Sequence, residues 1–169
     1  VFQALEACSE FLVKFGGHKY AAGLTLQKKN LQAFIDRFEE VVSNSIDDQL
    51  LIPQLKLEMQ LPIDKIDFKF FNIMKQMAPF GPQNLAPMFG TENAVVDEPI
   101  HLIKDCHIKG SVRNMDSTKR MDFIGFNMPE KATFIKVGEP FQMAFHIEEN
   151  DFQGNRSLVL QAKDIQKQD

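Results

Sequence analysis

Phe141-Gln142-Met143-Ala144-Phe145-His146-Ile147-Glu148 is the stretch that decides the fold. Phe141, Met143, Phe145 and Ile147 alternate strictly with Gln142, Ala144, His146 and Glu148. A period of two sends alternate side chains to opposite faces, so this is a half-buried strand with its apolar set inward. Leu158 and Leu160 resume an inner face after the turn residues Gly154-Asn155. Moving back along the chain, Asp97-Glu98-Pro99, residues 114–117, residues 127–131 and Gly138-Glu139-Pro140 cut everything from Met88 onward into short segments. Short antiparallel strands at this spacing predict a small barrel or sandwich.

Upstream the pattern changes. Asp67 is placed to cap a helix whose inner face is Phe70, Ile73, Met74 and Met77, and Pro79-Phe80-Gly81-Pro82 stops it. Leu55, Leu57, Met59 and Leu61 alternate with polar residues and predict another strand. Pro53 marks a boundary, giving expected domains at 1–53 and 54–169. Before it, Asn30 is placed to cap a helix carrying the stripe Leu31, Phe34, Ile35, Phe38, Val41 and Val42, and Leu24-Thr25-Leu26 reads as a short strand. Leu5, Cys8, Leu12 and Phe15 recur at helical spacing, with Gly16-Gly17 as the stop. The chain opens at Val1, without Met and inside that expected helix, and so reads as a fragment.

Composition excludes several classes. With 44% hydrophobic and 25% charged residues, the 169-residue chain is a globular sequence and not a disordered one. Sixteen Phe against one Tyr and no Trp predict rings that serve mainly as core. The net charge of −4 excludes a generally basic nucleic-acid binder. Between His107 and Lys136, however, six positive residues face three negative ones, so charge is polarised along the chain. No apolar run has membrane-spanning length, and no signal peptide opens the sequence. Cys8 and Cys106, far apart and in no CxxC spacing, predict two buried free thiols in a reduced, cytoplasmic protein.

Three motifs have binding chemistry. Gly16-Gly17-His18-Lys19 offers backbone amides, an imidazole and an ammonium to a phosphate. The same glycines also read as a helix cap and tight turn. Pro79 to Asn84 is a rigid elbow that presents Phe80 and Asn84 as binding residues or uses Phe80 as a core plug. In His107-Ile108-Lys109-Gly110-Ser111-Val112-Arg113, Ile108 and Val112 face one way, while Lys109, Ser111 and Arg113 face the other. With Lys119 and Arg120 beyond the turn, that face is either a track for a nucleic-acid backbone or a solvated outer surface. The four histidines show no metal-ligand spacing, and no nucleophile motif is present, so neither a catalytic residue nor a metal ligand is assigned.

Together these motifs resemble the RecJ exonuclease family. Phe15-Gly16-Gly17-His18 with Ala21-Ala22-Gly23-Leu24-Thr25-Leu26 is similar to the second half of its DHH-associated domain. Pro79-Phe80-Gly81-Pro82-Gln83-Asn84 with Pro87 and Phe89 resembles the family's signature between that domain and the OB-fold strands, and the His107-Ile108-Lys109 strand, Phe123 to Phe126, and Gly154 through Ile165 complete the likeness. The sequence departs from the pattern at Gln83, where Gly is usual, and at Leu85, where Pro is usual. The Asp-rich metal motifs are absent too.

The resemblance implies an α+β chain: a truncated helix-strand-helix DHH-associated remnant, then an OB-like antiparallel β-barrel with an extra helix. It implies a parent that uses manganese or magnesium to hydrolyse single-stranded DNA from the 5′ end in repair and recombination. This part would bind the strand without being catalytic. Gly16, Gly17, His18 and Lys19 would hold a phosphate, and Phe80, Asn84, His107, Lys109, Ser111, Arg113, Lys119 and Arg120 would contact the nucleic acid. The implied partners are single-stranded DNA, the DHH domain of the same protein, and a single-stranded-DNA-binding protein or helicase. Two alternatives stay open: a docking platform for repair partners, or part of another DHH-type phosphoesterase acting on RNA or dinucleotides.

Overall fold

The computed structural model describes residues 1–18, 21–152 and 154–168. Its contacts fall into two compact units, Val1–Gln54 and Leu55–Asp169.

In the first unit, α1 (Phe2–Glu6) and a 3-10 turn at Ser9–Phe11 lead into a hairpin of β1 (Leu12–Gly17) and β2 (Ala22–Leu26). A 3-10 turn at Lys28–Asn30 then starts α2 (Leu31–Ser45), and a further 3-10 turn covers Asp48–Leu51. The expected opening helix is thus corrected after Glu6: Leu12 and Phe15 lie in a strand, with Phe15 opposite Leu24 and Gly17 opposite Ala22. A register slip between Leu12 and Lys14 explains the error, because a bulge lets a strand imitate a three-residue apolar spacing. Gly16-Gly17 therefore end a strand. A Cβ on Gly17 would lie 2.4 Å from the Ala21 carbonyl oxygen, so only glycine fits the close backbone approach. Asn30 does precede α2, but its side chain does not cap it: Nδ2 donates to the Phe11 carbonyl at 3.2 Å. Cys8 is fully buried, which pushes its thiol pKa up.

The second unit opens with residues 55–58 outside any strand; only Met59–Gln60 pair, as the short β3. The expected half-buried strand from Leu55 is corrected, since Leu55 and Met59 are exposed. Leu57 is half-buried and Leu61 buried, so the alternation here marks an edge that is covered only in part. After a 3-10 turn at Ile63–Lys65 comes α3 (Phe68–Lys75), capped as expected by Asp67, which accepts from the Phe70 amide at 2.7 Å. Its buried face is Phe71 and Met74; Ile73 and Met77, expected inside, are each 57% exposed.

The strands β4 (Phe89–Val96), β5 (His101–Ile103), β6 (His107–Asn114), β7 (Met121–Phe126), β8 (Phe141–Phe152) and β9 (Asn155–Lys167) complete the chain. The pairings β4–β6, β6–β7, β7–β9, β9–β8 and β8–β4 close a ring of five strands. β7 and β9 run parallel and the other four contacts are antiparallel. β3 and β5 lie outside the ring as edges. Inside it Phe123, Phe141, Phe145, Ile108, Leu160 and Ile165 are fully buried, each stabilising by about 1.5–3 kcal/mol. Phe141, Met143, Phe145 and Ile147 all lie in this core, as their alternation predicts.

Two polar side chains, Thr91 and Asn114, are buried among these apolar ones. Asn114, 6% exposed, accepts from the Ile63 amide at 2.6 Å. It donates to the Thr91 hydroxyl at 2.9 Å and the Glu92 carbonyl at 2.8 Å. It thereby pins the 63–65 turn to β4 and β6. The outer part of the β8–β9 hairpin is tied to α3. Glu149 accepts from Arg156 and from Lys75 at 3.3 Å, and Arg156 lies over the Phe68 ring at 5.6 Å. The Arg156 bond, helped by Lys75, holds the Glu149 carboxyl below its ordinary range despite partial burial.

Candidate nucleic-acid interface

Strand alternation fixes which residues of β6 and β7 face outward. In β6 these are Lys109 and Ser111, exposed, and His107 and Arg113, half-buried. In β7 they are Asp122, Ile124 and Phe126. The register places His107 opposite Phe126, Lys109 opposite Ile124, and Ser111 opposite Asp122. β9 extends the face on one side, with Val159 opposite Asp122 and Gln161 opposite Ile124. Lys163, two residues on, is exposed at a bulge, where the β8–β9 register passes from Ala144–Asp164 to Phe145–Ala162. On the other side, His101 of β5 stands opposite Lys109.

The two ends of this face differ. At one end His107 and Phe126 form an edge-to-face pair, centroids 5.1 Å apart and planes at 78°, with Phe126 44% exposed. Among the described residues neither Lys109 nor Lys163 has an ion-pair partner. At the other end lies a cleft of about 340 Å³ lined by Asp97, Glu98, His101, Lys109, Ser111, Arg120 and Asp122. Three carboxylates there oppose two fixed cations. Lys109 stands between the two ends and also lines this cleft, so phosphates are favoured on its Phe126 side, away from the carboxylates.

The basic residues expected on this track have different occupations. Arg113 grips Asp97 through Nε, at 3.0 and 2.9 Å, and through Nη2 at 2.8 Å. Its Nη1 donates to the carbonyls of Asn114, Met115 and Ser117, leaving little for an outside ligand. Arg120, 55% exposed, pairs with the same Asp97 at 2.8 Å. Chiefly through Arg113, these cations hold the Asp97 carboxyl below its ordinary range. Lys119 turns inward and donates to the carbonyls of Asp64 at 3.1 Å and Ile66 at 2.6 Å. On the flank, Lys131 donates to Asp164 at 2.6 Å. Burial pushes the Asp164 carboxyl up, but Lys131, Gln166 and the Ile165 amide together bring it below its ordinary value.

Asn84 is occupied as well. Its Nδ2 donates to the Met77 and Pro79 carbonyls at 3.0 and 2.9 Å, locking the elbow in which Phe80 is half-buried. Gly81 and Asn84 bridge across the turn, and Gln83 takes a left-handed φ of 72° where the resembled family has glycine. This elbow borders an apolar groove of about 420 Å³ that includes Met59, Ile73, Met77 and Leu85. In the first unit, Gly16 and Gly17 end β1, and the His18 amide donates to the Ala21 carbonyl at 2.8 Å. Lys19 lies outside the described residues. Cys106 is half-buried, not buried as expected, with Sγ 3.5 Å from His107 Nε2.

Sequence reasoning missed Phe126 and Lys163. A signal for Phe126 was present: Phe123 and Phe126 differ by three, an odd number, so a regular strand cannot bury both. Among the described residues, no group of three or more His, Cys, Asp or Glu is placed to hold a metal ion, and no helix is long and apolar enough to cross a membrane. No step of metal chemistry is therefore assigned to these residues.

Comparison with known proteins matches residues 57–164 to the family described as the RecJ OB domain. The single-stranded-DNA-specific exonuclease RecJ of Bacillus subtilis is 27% identical over 165 residues, covering 97% of this chain and 21% of that protein. Its Escherichia coli counterpart is 27% identical over 149 residues, covering 88% and 26% respectively. The chain thus spans about a fifth to a quarter of the length of these relatives. The Thermus thermophilus RecJ crystal structure in complex with Mn2+ aligns over 99% of this chain and 24% of its own, at 21% identity and a TM-score of 0.76, which establishes a shared fold.

Proposed function

Because this chain belongs to the RecJ OB domain family through residues 57–164, we propose that it is the strand-binding C-terminal part of a single-stranded-DNA exonuclease. The observation that carries this reading is the outer face of β6, β7 and β9, which carries the exposed Phe126 ring and, without ion-pair partners among the described residues, the exposed Lys109 and Lys163. An exposed ring flanked by cations suits a single strand, whose bases are free to stack while its phosphates pass the ammonium groups. Lys109 and Lys163 take phosphates, His107 steadies the ring, and Ser111 and Arg120 border the track. Gly16, Gly17 and His18 remain the proposed phosphate contact of the first unit. The proposal extends to the parent protein: a cytoplasmic 5′-to-3′ exonuclease of repair and recombination, using manganese or magnesium held by its DHH domain.

Fluorescence anisotropy against a 5′-phosphorylated single strand at several salt concentrations tests the reading. Each phosphate contact contributes roughly −0.7 to the log–log salt slope, so Lys109→Ala and Lys163→Ala should each flatten it by about that step. Phe126→Ala should weaken binding by about 1–3 kcal/mol and leave the slope unchanged. A folded chain that binds no strand at low salt would refute the reading. The docking-platform alternative, which rests on the exposed apolar groove beside α3, would then stand in its place.

A further inference from the structure

The Phe126 end of the interface is bounded by left-handed backbone. Lys104 and Asp105, in the turn between β5 and β6, have left-handed φ values of 51° and 56°, and Asn127, just after β7, has 53°. All three are non-glycine residues; Asp and Asn tolerate this region better than Lys, and a tertiary contact holds one of them there. At Asn127 the enforcing contact is explicit: its backbone N–H donates to His107 Nδ1 at 3.1 Å. That bond makes Nδ1 the acceptor and leaves the ring proton on Nε2. The His107 ring is thereby fixed edge-on to Phe126. Phe126 is a rigid, half-open aromatic surface, and Asn127 follows it directly.

Asn127 is itself exposed, and among the described residues its carboxamide has no partner, while its backbone amide is used. An exposed carboxamide on the residue that follows a stacking ring has the chemistry to read a base edge. It offers one donor and one acceptor in a plane, the pattern that pairs in bidentate fashion with adenine N7 and N6–H2. Building on the strand-binding reading, we infer that Phe126 and Asn127 form a one-nucleotide subsite that stacks an unpaired base and prefers adenine through the Asn127 carboxamide.

The test uses the whole chain and an oligo-dT strand carrying either one dA or one dC, titrated by anisotropy. The dA strand should bind about five-fold more tightly, the low end of what a bidentate amide contact gives. Asn127→Gly keeps the left-handed backbone without a side chain, so His107 stays in place and the preference alone should vanish. Asn127→Asp, also tolerant of that backbone, replaces the donor with an acceptor and should move the preference to dC, whose N4 amino group donates. Equal affinities for dA and dC in the unmodified chain, or a dA preference that survives Asn127→Gly, would overturn the inference and leave strand binding intact. Failure of the folded chain to bind either strand would overturn both.

Discussion

Replacing Asn114 by alanine removes a three-way clamp and should be among the most damaging single changes in the second unit. Its Oδ1 is the acceptor for the amide of Ile63, a residue with no exposed surface, at 2.6 Å. A buried donor left unpaired costs about 1–3 kcal/mol. The Thr91 hydroxyl and Glu92 carbonyl lose their Nδ2 partner but are 3.5 Å apart and can turn to each other, so they add only about 1 kcal/mol. The expected loss is about 2–4 kcal/mol, equivalent to a fall in melting temperature of roughly 5–15 °C for a chain of this size. The assay is urea unfolding by far-UV circular dichroism, because the chain has no Trp and its single Tyr, Tyr20, precedes the second unit in sequence. The midpoint should fall at constant m-value, and the Ile63 amide should exchange with solvent faster than in the parent chain. A change below about 1 kcal/mol with Ile63 still protected would refute the clamp.

Gln83→Gly should stabilise the elbow by about 0.5–1 kcal/mol, read as a higher thermal midpoint, since glycine adopts the left-handed φ of 72° without steric cost. Gly110→Ala should destabilise by about 1–3 kcal/mol, because the added Cβ would sit 2.9 Å from both the Ile100 and Phe123 side chains; equilibrium unfolding checks it. Acid should destabilise the second unit. Asp97, Glu149 and Asp164 all have folded pKa values below their ordinary 3.8, 4.5 and 3.8, so the unfolded chain binds protons first. Their contribution is complete above the unfolded values and is lost as pH falls through the lower folded ones. Melting temperature should therefore be flat near neutrality and drop below about pH 4.5, and Asp97→Asn should blunt that drop.

The ring was legible where apolar residues alternate under cover. Phe141 to Ile147, Ile108 and Val112 all face inward as their spacing requires. The same alternation at Leu55 to Leu61 misled in part: Leu61 is buried but Leu55 and Met59 are exposed, because periodicity reports two faces and not how far a layer covers one of them. At Leu12 and Phe15 a register slip gave a strand the spacing of a helix. For the site, the sequence placed Lys109 and Ser111 on the outer face correctly, but charge alone did not distinguish a free cation from an engaged one. Arg113 and Lys119 find their partners, Asp97 and the carbonyls at 64 and 66, across 16 to 55 residues of chain. Such pairings arise from the closed topology, which no local pattern encodes. Lys163 was missed for the same reason, because only the parallel β7–β9 contact brings β9 beside the track.

That parallel contact also governs the order of events during synthesis. β9 is the last strand in sequence, yet it sits between β7 and β8, joining Phe123 to Leu160 on one side and Phe145 to Ala162 on the other. Until residues near 160 have left the ribosome, β7 and β8 each lack a neighbour, and the ring stays open with its phenylalanines exposed. Pairings this remote along the chain place folding in the slow, non-local regime of milliseconds to seconds. A stalled or shortened chain lacking β9 would present two unpaired strand edges to its neighbours, which makes it prone to aggregation rather than merely less stable.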